Sequence, residues 1–152
     1  MRIEDEIKQE KFKSEYHKLN VNLLYTVAWI NQNANDTLKP YNISWQQFNI
    51  LRILKGRYPE PATIKLLSER MIDKMSNASR LVEKLRQKGY VERIECELDR
   101  RQVDITLTAL GLENIEKAST EMEQAMNQQF KNVTNAEAMA MNEILDRIRD
   151  SY

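Results

Sequence analysis

The apolar positions of this chain change their spacing several times, and each change marks an element. Between Ile3 and about Asn35, the residues Phe12, Tyr16, Leu19, Leu23, Val27 and Ile30 recur three or four positions apart, the spacing of one helix face. The pattern predicts one long helix, or a short one followed by a long one. Lys39-Pro40 ends it, because proline disfavours helical geometry in the residue before it. In ISWQQFNILRILKG, Ser44 is an N-cap, Phe48, Leu51 and Leu54 form an apolar stripe, and Gly56 suits a left-handed exit. YPEPAT reads as a loop, after which Thr63 caps a short helix, IKLLSERM.

Beyond Ile72, Asp73 is placed to cap KMSNASRLVEKLRQK, which Gly89 closes. Met75, Ala78, Leu81, Val82 and Leu85 fall on one face of this helix, and Ser76, Asn77, Ser79, Arg80 and Lys84 mainly on the other. Two short helices joined by a tight connection make a helix-turn-helix candidate. YVERIE and QVDITL then alternate with strand period and are joined by CELDRR, short enough for an antiparallel hairpin. Helical spacing returns after Thr108 and runs through Ile115, Ala118, Met122, Ala125 and Phe130. It breaks at Asn132 to Asn135, where Thr134 and Glu137 form a capping box for a last helix carrying Met141, Ile144, Leu145 and Ile148.

The order predicts a mainly α chain with a small β-hairpin wing. Residues 39–111 form a winged helix-turn-helix, and 1–38 and 112–152 form flanking dimerisation helices within one compact chain. The terminal stripes are too long to be covered by so small a centre. A second copy of the chain is the simplest partner.

Composition narrows the chemistry. Cys96 is the only cysteine and His17 the only histidine, so there is no intramolecular disulfide, no Cys/His zinc cluster and no close nucleophile and base pair. No Gly-rich phosphate loop appears, and no metal or cofactor is expected. An enzyme has no residue constellation behind it. The charged opening MRIEDEIKQE and the lack of a membrane-length apolar run predict a cytoplasmic protein. The formal net charge of zero hides a segregation: residues 39–111 carry 14 Lys/Arg against 9 Asp/Glu, a balance of +5, while 1–38 gives 5 − 6 = −1 and 112–152 gives 4 − 8 = −4. A basic centre between acidic ends suits a polyanionic partner.

With its apolar stripe on the domain, the Lys74 to Lys88 segment has Ser76, Asn77, Ser79 and Arg80 free to meet base edges or phosphates in a major groove. Any amphipathic surface helix also has a polar side, and the hairpin tip is what favours DNA. There Asp99 braces Arg101, which probes a narrow minor groove, and Arg100 is available to phosphates. The same residues could instead form an exposed turn ion pair.

ISWQQFNILRIL, MSNASRLVEKLRQKGYVER and DRRQVDITLTALG together resemble the MarR family of bacterial transcription regulators over nearly the whole chain. The resemblance implies a homodimer, paired through its terminal helices, that binds double-stranded DNA at a pseudo-palindromic operator, most simply as a repressor. It implies that Ser76, Asn77, Ser79 and Arg80 meet the major groove, that Arg101 meets the minor groove, and that Thr63 and Lys65 touch the backbone. Glu95 and Glu97 depart from the pattern by adding negative charge to the wing, which also lacks the Gly or Pro often found there. The family's effectors are often small aromatic or phenolic molecules. Tyr25, Trp29, Trp45 and Phe48 lie on the segments that would border such a pocket, where ordinary core packing is the competing reading. Carboxylates beside Cys96 would raise its thiol pKa, against a redox role. A different function for the same scaffold is a helical dimer acting through protein partners without specific DNA reading.

Overall fold

The stripes of the central segment converge on one core. The computed structural model describes residues 1–95 and 103–150. Within it, α3 (Trp45–Lys55), α4 (Ile64–Arg70) and α5 (Ala78–Gln87) turn Phe48, Leu51, Leu67, Val82 and Leu85 inward, each at most 2% exposed. Burying such a side chain stabilises by roughly 1.5–3 kcal/mol before the entropy of ordering it is counted. Ser44 caps α3 in a capping box with Gln47, and Thr63 caps α4 by accepting the Leu66 N–H at 3.1 Å. Gly89, which closes the α5 segment, has a positive φ of 75°, whereas Gly56 keeps a right-handed φ of −66°. The left-handed exit expected at Gly56 is therefore wrong, because the backbone continues into turns made by Arg57 and Tyr58 on Leu54 and Lys55.

Three strands close this core, β1 (Ala62–Thr63), β2 (Val91–Glu95) and β3 (Val103–Leu107), in the order β1-β3-β2 with both pairs antiparallel. Val91 stands opposite Leu107 and Arg93 opposite Ile105, and the alternation turns Val91, Ile105 and Leu107 inward. β1 corrects the reading of YPEPAT as loop throughout: Ala62 and Thr63 pair with Ile105 and Asp104.

The N-terminal segment is a short helix, α1 (Ile3–Ile7), followed by a long one, α2 (Glu15–Leu38), which ends in a 3-10 turn at Lys39–Tyr41. α1 is tied to α2 by the Tyr25 hydroxyl, which donates to Glu6 at 2.5 Å, and by the Lys18–Glu4 ion pair at 2.6 Å. α6 (Ala109–Gln129) starts at Thr108, whose oxygen accepts the Gly111 N–H at 3.0 Å while its hydroxyl donates to the Gly89 carbonyl at 2.6 Å. At Gly111 the helix backbone lies against Tyr90 so closely that an added Cβ would sit 1.9 Å from the Tyr90 carbonyl oxygen. α7 (Asn135–Arg149) opens on the Thr134–Glu137 capping box.

Burial is unevenly shared. α2 buries only Ala34 and Leu38, and α7 buries no residue. Tyr16 is 85% exposed, Leu24 65% and Met139 60%, so the apolar faces of α2 and α7 are largely open to solvent, whereas α6 buries Ile115 and Ala118. Among the described residues no helix is long and apolar enough to cross a membrane.

Candidate nucleic-acid interface

α5 begins later than its polar sequence suggested. Its N-cap is Asn77, whose side-chain oxygen accepts the Arg80 N–H at 2.9 Å, and not Asp73. Asp73 shapes the turn before the helix: its carboxylate accepts the Ser76 hydroxyl at 2.7 Å and the Met75 N–H at 3.1 Å. These bonds, Ser76 first, hold its carboxyl below the ordinary value of 3.8. Two cap-type residues four positions apart thus divide the work, one for the turn and one for the helix. Met75, expected on the buried stripe, precedes the helix and is 94% exposed.

This turn limits what Ser76 and Asn77 offer a ligand. A Ser76 hydroxyl that donates to Asp73 retains acceptor capacity, suited to an amino group on a base edge. Asn77 has engaged its oxygen, so its amide nitrogen remains as a donor toward a purine N7, a carbonyl edge or a phosphate. Ser79, Arg80 and Lys84 are exposed on α5, with Arg80 and Lys84 one turn apart. Among the described residues no carboxylate pairs with the side chain of either cation. By contrast, Glu83 engages Arg86 at 2.8 Å and Arg93 at 3.6 Å on the flank facing the sheet. Among the described residues, the outer face of α5 thus keeps two cations that no carboxylate pairs.

Thr63 is half-buried and occupied by its cap, and Lys65 is exposed, 4.0 Å from Glu69. Asp99, Arg100, Arg101 and Cys96 lie outside the described residues.

A cleft of about 780 Å³ opens between α2, α3 and α6. Trp45 and Phe48 line it, with ring centroids 5.9 Å apart, and Met126 on α6 and Phe130 at its C-cap border it. Tyr25 and Trp29 do not line it. Tyr25 is directed to Glu6 instead, which raises its phenol pKa, and Trp29 is 47% exposed on α2. The cleft also gathers Arg52, Lys55 and Gln129, which the sequence reading missed. The Gln129 amide nitrogen is buried without a hydrogen-bond partner among the described residues. Only the recurrence of Met122, Ala125 and Gln129 at helical spacing could have signalled the α6 wall, and any amphipathic helix has that spacing.

The MarR family model matches residues 43–103, the segment that builds this face. An HTH-type transcriptional regulator of Bacillus cereus is 30% identical over 111 residues, 73% of this chain and 72% of that protein. The chain belongs to the MarR family. A second relative, the HTH-type transcriptional repressor IacR of Pseudomonas putida, is 26% identical over 142 residues, 93% of this chain and 80% of its own. The fold is shared with an organohalide-sensing regulator in its 2,4-dichlorophenol-bound form (TM-score 0.82, 20% identity, 93% of this chain and 86% of that one). It is shared too with a MarR variant from Escherichia coli complexed with operator DNA (TM-score 0.76, 21% identity, 91% and 99% covered). MarR-family membership makes this chain a DNA-binding transcriptional regulator and not an enzyme.

Proposed function

We propose that the protein is a homodimeric repressor that reads a pseudo-palindromic operator through α5 and is released by a small aromatic or phenolic effector. The observation that carries the DNA reading is the outer face of α5, where Asn77, Ser79, Arg80 and Lys84 are exposed and the two cations lack a carboxylate partner among the described residues. A dimer is supported by the uncovered apolar faces of α2 and α7, since contiguous exposed apolar surface marks an interaction site. Two α5 helices must then be held about 34–36 Å apart to enter successive major grooves. Repression follows if the operator overlaps a promoter, and the P. putida relative is named a repressor.

The effector reading rests on the α2–α3–α6 cleft. Its aromatic wall suits a flat ring, and the Gln129 nitrogen, without a partner among the described residues, calls for an acceptor such as a phenol oxygen. The regulator bound to 2,4-dichlorophenol has the same fold. An effector acts only by favouring a dimer whose α5 spacing misses the grooves, so its affinity for that state must exceed its affinity for the bound one.

The test begins with duplexes selected from a random pool. Anisotropy on the selected operator should give a loss of about 10- to 100-fold for Arg80→Ala, relaxing preference at one base position if it reads an edge. Arg101→Ala should weaken binding further in the double variant. If it touches a phosphate, the slope of log affinity on log salt should fall by about 0.9. Unchanged operator affinity in the double variant, with its self-association intact, would reject the assigned face.

A further inference from the structure

We propose that Asn49 is a positioning residue for operator recognition, its side-chain oxygen setting where the turn before α5 lies against the groove. The inference rests on the reading of α5 as the operator-facing helix. Asn49 sits half-buried on α3, and its Oδ1 accepts the Ile72 N–H at 2.9 Å across 23 positions of sequence. Ile72 begins the turn that leads to Ser76 and Asn77, and its own side chain is 69% exposed, so it offers no core anchor. Downstream the turn is held largely by its own side chains, Asp73 bonding Met75 and Ser76 and Asn77 bonding Arg80, with Gln46 of α3 also bonding Asp73. Those bonds fix its shape. The Asn49 bond ties the backbone at the start of that shape to α3, where Gln46 meets only the Asp73 side chain.

The far end of the same segment is also held by α3. Lys88 donates to Gln47 Oε1 at 3.2 Å and to the Asn42 carbonyl, and burial pushes its pKa down. Gln47 is 4% exposed, so this bond is an internal one. Gln47 and Asn49 flank Phe48, which lines the cleft. One helix therefore carries the cleft wall and grips the reading segment at both ends.

The test compares Asn49→Leu, which keeps the volume and loses the acceptor, with Asn49→Asp, which keeps an acceptor. The quantity read is the ratio of operator affinity to affinity for an unrelated duplex, in which the uniform penalty of an added carboxylate cancels. The ratio should fall about tenfold in Asn49→Leu and return to within about twofold in Asn49→Asp. Amide exchange at Ile72 should quicken in the first variant only. Asn49→Ala replaces the leucine variant if thermal melting shows that the latter does not fold. A wild-type ratio in the apolar variant, or an equal loss in Asn49→Asp, overturns the role. Arg80→Ala run alongside separates the two failures. If it lowers operator affinity while Asn49→Leu leaves the ratio at the wild-type value, Asn49 alone is misassigned; if Arg80→Ala changes neither the ratio nor the operator affinity itself, the operator reading falls and this role with it.

Discussion

The centre of the chain and its ends use similar residues to opposite effect. Between Ile43 and Leu107, aliphatic and aromatic side chains from three helices and three strands bury one another nearly completely. On α2 and α7 the same residue types face outward: Leu24 and Met139 are well over half exposed, and α7 buries nothing. A stripe with helical spacing is therefore not evidence of burial within one chain; it is a demand for a partner surface. The centre meets that demand internally, and the ends meet it in the proposed second copy.

Four measurements can break or sharpen that contrast. Leu51→Ala, at a wholly buried central position, should cost about 2–5 kcal/mol in urea denaturation, equally at every protein concentration. A concentration-dependent loss there would erase the distinction. Replacing Ile144 and Ile148 by Glu, on exposed α7, should weaken self-association by about 30-fold or more in sedimentation, roughly 2 kcal/mol, while the centre melts as before. Thr108→Ala removes a helix cap and a bond to Gly89 at the junction of the two regions, and should lower the melting stability by about 1–2 kcal/mol.

The smallest effect is one of pH. Glu137 is bonded by the Thr134 backbone N–H and hydroxyl, which lower its pKa from 4.5. A lowered folded pKa means that its contribution to α7 is complete above the unfolded value and is lost as pH falls through the folded one. Circular dichroism should report loss of helix below about pH 4.5, and Glu137→Gln should remove that part of the acid dependence. A Gln variant with the wild-type acid profile would separate the cap from the titration.

What was legible in the sequence followed local rules. Ser44, Thr63 and Thr134 cap the helices they precede, and Gly89 takes its positive φ, because capping and glycine conformation depend on nearest neighbours. β1 was not legible: two residues have no period, and only pairing with Ile105 and Asp104 makes them a strand. The start of α5 was misread because Asp73 and Asn77 are both cap-type residues, and the choice between them is made by the turn they enclose. Asn49 gave no signal, since an asparagine on a helix is ordinary until the residue it meets is known. The cleft was half legible. Trp45 and Phe48 line it, but Gln129 is brought there by the course of α6, which no local pattern states.

The missing side chain at Gly111 constrains substitution as well as packing. With the Tyr90 carbonyl occupying the place of a Cβ, the first turn of α6 is keyed to the peptide that leads into β2. Such a joint leaves no room for a side chain between the root of the long C-terminal rod and the sheet. A substitution that adds a side chain at Gly111 has to part α6 from the sheet before it can be accommodated.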